Sequence, residues 1–430
     1  MTGLPPHFNP PGPEAGQGVL EGALIPSFIV SPVKLDFPEG FLWGAATAAH
    51  QVEGNNVHSD WWRAEQAGLL PHRSELACES WTRWRDDIRL LQAMGLNAYR
   101  LSFEWARIEP EPGRFDLDAL ETYAEQVREL RQAGIEPMVT LHHFTSPGWL
   151  ADMGGWSNPQ AVDRFVTYTS RVAAHTADLV RWWITFNEPS ILGFKAYIEG
   201  SWPPHEPGNL RGYTRLMRHG NRGHRLARQV LKHARPDAMV SMAFAIWPLQ
   251  ALRPWSPIDR TMALIGDWLW QGRILGRSLP ALDWIGVNYY SRTFVGWPWP
   301  SGDGVGSRER TDFGWEIYPE GLRAVLDRVG RFGKPVVVTE NGISDADDDQ
   351  RAAYIVAHVR QIHRALQDGV DLRGYMHWTL LDNFEWAEGF NQRFGLATRD
   401  RQLRPSASVY EKIARANGLP DDVLGTFSVT

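Results

Sequence analysis

The chain has 430 residues, 43% hydrophobic and 22% charged, with a net charge of −6 at neutral pH. No basic block offsets that charge, which speaks against nucleic acid or an anionic membrane as a main partner. Cys78 is the only cysteine, so no internal disulfide can form and a reducing, cytoplasmic setting is expected.

The chain opens with "MTGLPPHFNPPGPEAGQG", which has neither the charged nor the apolar region of a signal peptide. Residues 1–36 are expected to form a Pro/Gly-rich extension, poorly ordered in part. "GALIPSFIV" is too short and too interrupted by proline to span a membrane. From residue 37 a rhythm begins. Eight short apolar runs follow: "FLWGAAT" from Phe41, "AYRLSF" from Ala98, "EPMVTLH" from Glu136, "WWITFNE" from Trp182, "MVSMAFA" from Met239, "DWIGVNYY" from Asp283, "PVVVTEN" from Pro335 and "LRGYMHWTL" from Leu372. Helical spacing of apolar residues fills the gaps, as in "DRFVTYTSRVAAHTADLV" and "DQRAAYIVAHVRQIHRALQDG". Strands that read as continuous apolar runs and alternate with helices imply a parallel sheet covered on both faces. Eight such units predict a single-domain (β/α)₈ TIM barrel over residues 37–430. A doubly wound open sheet would call for a glycine-rich phosphate turn after the first strand, and "WGAATAAHQVEG" has no GxGxxG.

Polar residues gather at the strand ends, where barrel enzymes build their sites. Gln51 and Glu53 follow the first strand. Arg100 and Glu104 end the second, His142 and His143 the third, Asn187 and Glu188 the fourth. Asn288, Tyr289 and Tyr290 end the sixth, Glu340 and Asn341 the seventh, and Trp378 the eighth, with Glu385 and Trp386 beyond it. All are expected on one rim. Glu188 and Glu340 stand beside asparagines at the ends of very apolar strands, facing each other across the mouth. Two opposed carboxyl groups suit glycoside hydrolysis: one ionised, the other holding a proton near neutral pH. Arg100 is placed to hold one of them ionised by Coulomb attraction. The 21 tryptophans include candidates for stacking on sugar faces as well as core residues.

These segments resemble glycoside hydrolase family 1, the retaining β-glucosidases and β-galactosidases. "TFNEP" and "TENGI" are similar to its two signature segments. "FLWGAATAAHQVEG", "YRLSFEWARIEP", "TLHHF", "GVNYYS" and "WTLLDNFEWAEGFNQRFGL" match further blocks in the same order, over roughly residues 37–415. The resemblance implies Glu188 as general acid/base and Glu340 as nucleophile, with Arg100 and Tyr290 supporting the nucleophile. It implies that Asn187 meets the sugar 2-hydroxyl, that Gln51, His143, Glu385 and Trp386 bind outer hydroxyls, and that Trp378 forms the floor under the ring. Asn288 completes the expected substrate-binding set. A retaining mechanism would set the two carboxyl groups roughly 5–5.5 Å apart, with a covalent glycosyl-enzyme intermediate and no cofactor.

Three departures from the family pattern matter. Phe144 and Thr145 stand where tryptophan and an acidic residue are usual, and the stretch from about Ala251 to Pro280 is shorter, which predicts a more open pocket on that side. Phospho-sugar members replace the glutamate of "NFEW" and carry Lys and Tyr where this chain has Gln392 and Phe394. Glu385 would repel a 6-phosphate. The expected function is therefore an exo-β-glycosidase acting on β-D-glucosides, with β-D-galactosides and β-D-fucosides also accepted. A 6-phospho-β-glycosidase and a non-catalytic sugar-binding barrel are the alternatives. Expected partners are small β-glycosides and oligosaccharides, without nucleic acid or membrane. Trp149, Phe194, Trp202 and Trp297 are candidates for an aglycone platform or for core. His142 and His143 point to opposite faces of a strand and so make a poor metal pair. Asp345, Asp347 and Asp349 alternate like a calcium loop, but Gln350 and Val356 occupy the positions that need Gly and Glu.

Overall fold

The protein is described by a computed structural model, in which residues 34–297 and 308–427 are described. The chain divides into two units, residues 1–33 and 34–430. The first lies outside the described residues, and with it most of the expected extension. Its last residues do not: Leu35–Asp36 pairs antiparallel with Gly418–Leu419.

Eight parallel strands close into a barrel: β1 Leu42–Ala46, β2 Ala98–Ser102, β3 Glu136–Thr140, β4 Trp182–Asn187, β5 Met239–Ala245, β6 Ile285–Asn288, β7 Val336–Asn341 and β8 Leu372–Trp378. Each pairs with the next in sequence, and β8 closes onto β1. All eight apolar runs seen in the sequence are barrel strands. β4 and β7 are buried along their whole length, as strands covered on both faces must be.

One major helix follows each strand: α1 Ser80–Ala93, α2 Leu117–Gln132, α3 Gln160–Thr176, α4 Leu210–Ala234, α5 Pro257–Asp267, α6 Pro319–Gly330, α7 Arg351–Gln367 and α8 Pro405–Ala416. α3 shows why these segments are helical. Its buried residues Ala161, Val162, Phe165, Tyr168, Thr169, Val172 and Thr176 recur at three- and four-residue steps and face the sheet. α2 starts where the Asp116 carboxylate accepts the Ala119 N–H at 2.9 Å. The acidic run before α7 is more than a solvated helix start. Asp345 is buried and caps the Gln350 and Arg351 amides, and Asp348 pairs with the buried Arg351. No helix among the described residues is long and apolar enough to cross a membrane.

Two strands slip register near their C-terminal ends. In β4, the three-residue step from Ile184 to Asn187 opposes a two-residue step from Ser241 to Ala243 in β5. In β7, the two-residue step from Val338 to Glu340 opposes a one-residue step from Val287 to Asn288 in β6. One extra residue in a strand bends it and re-aims the side chains beyond. The two slipped strands are those that carry Glu188 and Glu340.

Candidate active site

Period-two alternation decides which strand-end residues reach the barrel mouth. Tyr290, Glu340 and His143 line a cavity of about 500 Å³ at the C-terminal rim, together with Asn187, Glu188, Asn288, Trp378, Glu385 and Trp386. Their neighbours turn away, so the expectation that all the strand-end polar residues share one rim does not hold. Tyr289 donates to the Tyr318 carbonyl, Asn341 bonds Tyr289 and Tyr354, and His142 bonds Ser146 and Trp156. Glu53 faces Arg107 and Tyr123 behind the barrel wall, and Glu104 caps a short helix and accepts from Thr145.

Glu340 sits in the β7 ladder and receives two charge-assisted or neutral donors. Arg100 Nη1 donates to Oε1 at 2.5 Å, and the Tyr290 hydroxyl donates to Oε2 at 2.6 Å. Arg100 is fully buried, so its cation compensates the carboxylate in a medium that screens little. Burial and the nearby carboxylates hold the Tyr290 hydroxyl well above its usual range, so it stays protonated and remains a donor.

Glu188 follows β4 in a left-handed conformation, φ 41°, directly before Pro189. That backbone is unfavourable for a side-chain-bearing residue by about 1–2 kcal/mol. It is held by Glu188 N–H donating to the Ala243 carbonyl and by Ile191 and Leu192 donating back to Glu188. Asn288 Nδ2 donates to Glu188 Oε1 at 2.7 Å. Burial, and then the charge of Glu340, push the Glu188 carboxyl up to about 8, against the Asn288 bond and Arg100. One carboxyl is therefore paired with a cation while the other keeps a proton at neutral pH.

A continuous network joins them. Arg100 Nη2 donates to Asn187 Oδ1 at 2.7 Å, and Asn288 Nδ2 reaches the same oxygen at 3.0 Å. Thr339 Oγ1 donates to Asn288 Oδ1 at 2.6 Å, fixing which end of that amide faces Glu188. Asn187 Nδ2 donates to His143 Nε2 at 3.0 Å. Burial and Arg100 keep the His143 ring neutral, so its proton lies on Nδ1, which has no partner among the described residues. Gln51 is fully buried. Its Nε2 bonds Asn383, Phe384 and Glu385, and its Oε1 likewise has no partner among the described residues. Glu385 is partly exposed, and burial of its carboxyl together with Glu340 pushes it up to about 8.

Aromatic rings frame these polar groups. His143 stacks on Trp378 and Trp386, with centroids 5.9 and 6.0 Å apart. Phe144, at φ 70°, packs on Trp202 and Trp386 at 5.0 and 5.1 Å. Of the four platform candidates only Trp202 lines the cavity. Trp149 is buried and donates to the Glu109 carbonyl, Phe194 packs on Trp270, and Trp297 is exposed on the outer surface. Sequence reasoning missed Thr339, and it missed the stacked pair Phe313–Trp315, which also lines the cavity. Thr339 had a readable signal, as the one polar residue in "VVVT".

The family model for glycosyl hydrolase family 1 matches residues 33–268 and 280–419, with the break falling after β5. β-Glucosidase A of Acetivibrio thermocellus is 31% identical over 90% of this chain and 99% of its own length. Thermostable β-glucosidase B of Thermobispora bispora is 34% identical over 90% and 92%. Among solved structures, the β-glycosidase from Pyrococcus horikoshii superposes with a TM-score of 0.88 at 35% identity, covering 93% of this chain and 99% of that one. The Thermotoga maritima β-glucosidase in complex with glucoimidazole gives 0.82 at 30% identity, covering 90% and 100%. With barrel, rim and sequence in agreement, the chain belongs to glycosyl hydrolase family 1.

Proposed function

We propose that the protein is a retaining exo-β-glycosidase, acting on terminal β-D-glucosides and also on β-D-galactosides and β-D-fucosides. One observation carries the reading: two buried carboxyl groups on one rim lie in opposite electrostatic settings, Glu340 against Arg100 and Tyr290, and Glu188 held protonated. Glu340 attacks the anomeric carbon while Glu188 gives its proton to the departing oxygen, leaving a glycosyl ester on Glu340. Esterification removes the negative charge that helped to raise Glu188. Glu188 then loses its proton more readily and serves as base for the water that cleaves the ester.

The unpartnered Gln51 Oε1 and His143 Nδ1 supply an acceptor and a donor for sugar hydroxyls. Asn187 and Asn288 present amides beside Glu188, Glu385 reaches the outer hydroxyls, and Trp378 and Trp386 offer ring faces. The names of the relatives, β-glucosidases with a β-galactosidase of Sulfolobus acidocaldarius among them, support the choice of glycone. A phosphorylated sugar fits poorly. Of the cations on the described cavity wall, Lys195 is paired with Glu199 and Arg292 with Glu316, while Glu388 adds negative charge. The cytoplasm is the compartment this reading assigns, Cys78 being a single buried thiol.

The test is Glu340→Gly. Hydrolysis of an aryl β-glucoside should vanish and return in part with added azide or formate, which takes the place of the missing carboxylate. Substantial activity without such an anion would overturn the assignment.

A further inference from the structure

Fourteen large apolar side chains are exposed among the described residues, and seven of them crowd into one place. Trp255, Ile258, Leu264, Ile265, Trp268 and Leu269 lie on or beside α5, and the seventh, Trp297, is tied to the start of that helix where its amide donates to Asp259. Trp255 is 79% exposed and Leu264 72%. α5 is turned inside out relative to α3. Its buried positions are the small or polar residues Asp259, Ala263 and Gly266, and its large apolar residues face outward. The small residues are there because the helix lies close on the two-stranded ladder of Leu249–Ala251 and Thr293–Val295: a Cβ at Gly266 would meet Leu249 at 3.0 Å. Single exposed apolar residues need no explanation, whereas a contiguous set marks a surface made for contact.

The patch is fastened to the active-site wall. Gln271, just past α5, bonds both the amide and the carbonyl of Trp247. Trp247 and Ile246 line the cavity, as does Thr293 from the ladder beneath α5. This side of the cavity wall and the apolar face are thus two sides of one piece of rim, built by the stretch between β5 and β6.

Charge separates the possible occupants. In this stretch Asp259 is paired with Arg253 and Asp267 with Arg328, which leaves Arg260 at the edge of the apolar face and exposed Arg273 and Arg277 beyond its end. The whole-chain charge of −6 hides this local excess of cations. An apolar face with tryptophans and an arginine edge is the pattern of a helix lying in a lipid headgroup region, and the cytoplasmic leaflet carries negative charge. A second copy would set the same arginines against each other. We propose that the outer face of α5, with Trp297, docks on an anionic lipid surface, so that the pocket takes β-glycosides whose apolar aglycone remains in that surface. The substrate part of this rests on the β-glycosidase reading; the docking part does not.

The full-length protein is mixed with vesicles of phosphatidylcholine containing about one-third phosphatidylglycerol, and sedimented. The wild type should sediment with them, and Leu264→Ser/Trp268→Ser should do so roughly fivefold less or weaker still, with an unchanged melting temperature. On octyl β-D-glucoside the same variant should lose kcat/KM by roughly fivefold, while 4-nitrophenyl β-D-glucoside turnover stays at the wild-type level. No sedimentation of the wild type, or equal sedimentation of the variant, overturns the proposal. So does a wild-type dimer by light scattering that becomes monomeric in the variant, which would assign the face to a second copy. Sedimentation without hydrolysis of any β-glycoside would keep the docking surface and remove the substrate.

Discussion

Arg100 and Glu340 form a buried ion pair at the cavity wall, Nη1 to Oε1 at 2.5 Å, and the same guanidinium reaches Asn187 with its other nitrogen. Removing the cation strands a carboxylate in the barrel interior. Arg100→Met should therefore lower kcat on an aryl β-glucoside by about two orders of magnitude or more and destabilise the fold by about 3–5 kcal/mol. Arg100→Lys restores the charge but cannot serve Glu340 and Asn187 at once. It should recover more stability than activity, as read from thermal melts and steady-state rates together.

Glu188, held at about 8 by burial and by Glu340, sets the alkaline limit of the reaction. In the free enzyme kcat/KM should stay high at neutral pH and fall about tenfold per unit once the pH passes about 8, because the acid has lost its proton. Glu188→Ala should abolish that limb. With a 2,4-dinitrophenyl leaving group, which needs no proton, glycosylation should persist in the variant and be independent of pH in this range. An alkaline limb that survives in Glu188→Ala would mean that another group controls it.

The barrel was legible because each strand is an uninterrupted apolar run and each connection contains a helical period. The carboxyl pair was legible because charged residues at the ends of such runs have no packing reason to be there. What could not be read was which way each side chain faces. "HH", "NYY" and "TEN" each place neighbouring polar residues on opposite sides of a strand, and only the closed barrel decides that His143, Tyr290 and Glu340 turn inward. The register slips in β4 and β7 were equally invisible, since a bulge is a property of two strands together. Trp149, Phe194 and Trp297 were ambiguous for the same reason: a tryptophan or phenylalanine after a strand serves core, cavity or outer surface according to the path of its loop.

Glu385 offers a test of burial through stability rather than rate. Its carboxyl keeps a proton up to about 8 in the folded protein, against about 4.3 in an unfolded chain. Protonation thus favours the folded state. That contribution is complete below the unfolded value and is lost as the pH rises through the folded one. Glu385→Gln mimics the protonated form at every pH. Its melting temperature should match the wild type near pH 4 and exceed it by several degrees near pH 9, measured by calorimetry across that range. A gap that does not widen with pH would show that the carboxyl is better solvated than its surroundings imply.

Gly342 follows the Glu340–Asn341 pair, and the chain there needs closeness rather than an unusual backbone angle. A Cβ at this position would stand 1.7 Å from the Trp378 carbonyl oxygen, a backbone atom at the end of β8 that has no freedom to move aside. Alanine must push β7 and β8 apart at the rim. The overpacking should cost about 1–3 kcal/mol of stability. The larger effect should be on catalysis, because the displaced atoms belong to the strand ends that carry Glu340 and Trp378, and misplacement by about 1 Å suffices for a hundredfold loss. Gly342→Ala should therefore remain folded at 25 °C with a lowered melting temperature and lose about two orders of magnitude in kcat. Wild-type kcat in the variant would mean that the rim absorbs the methyl group without moving either catalytic strand.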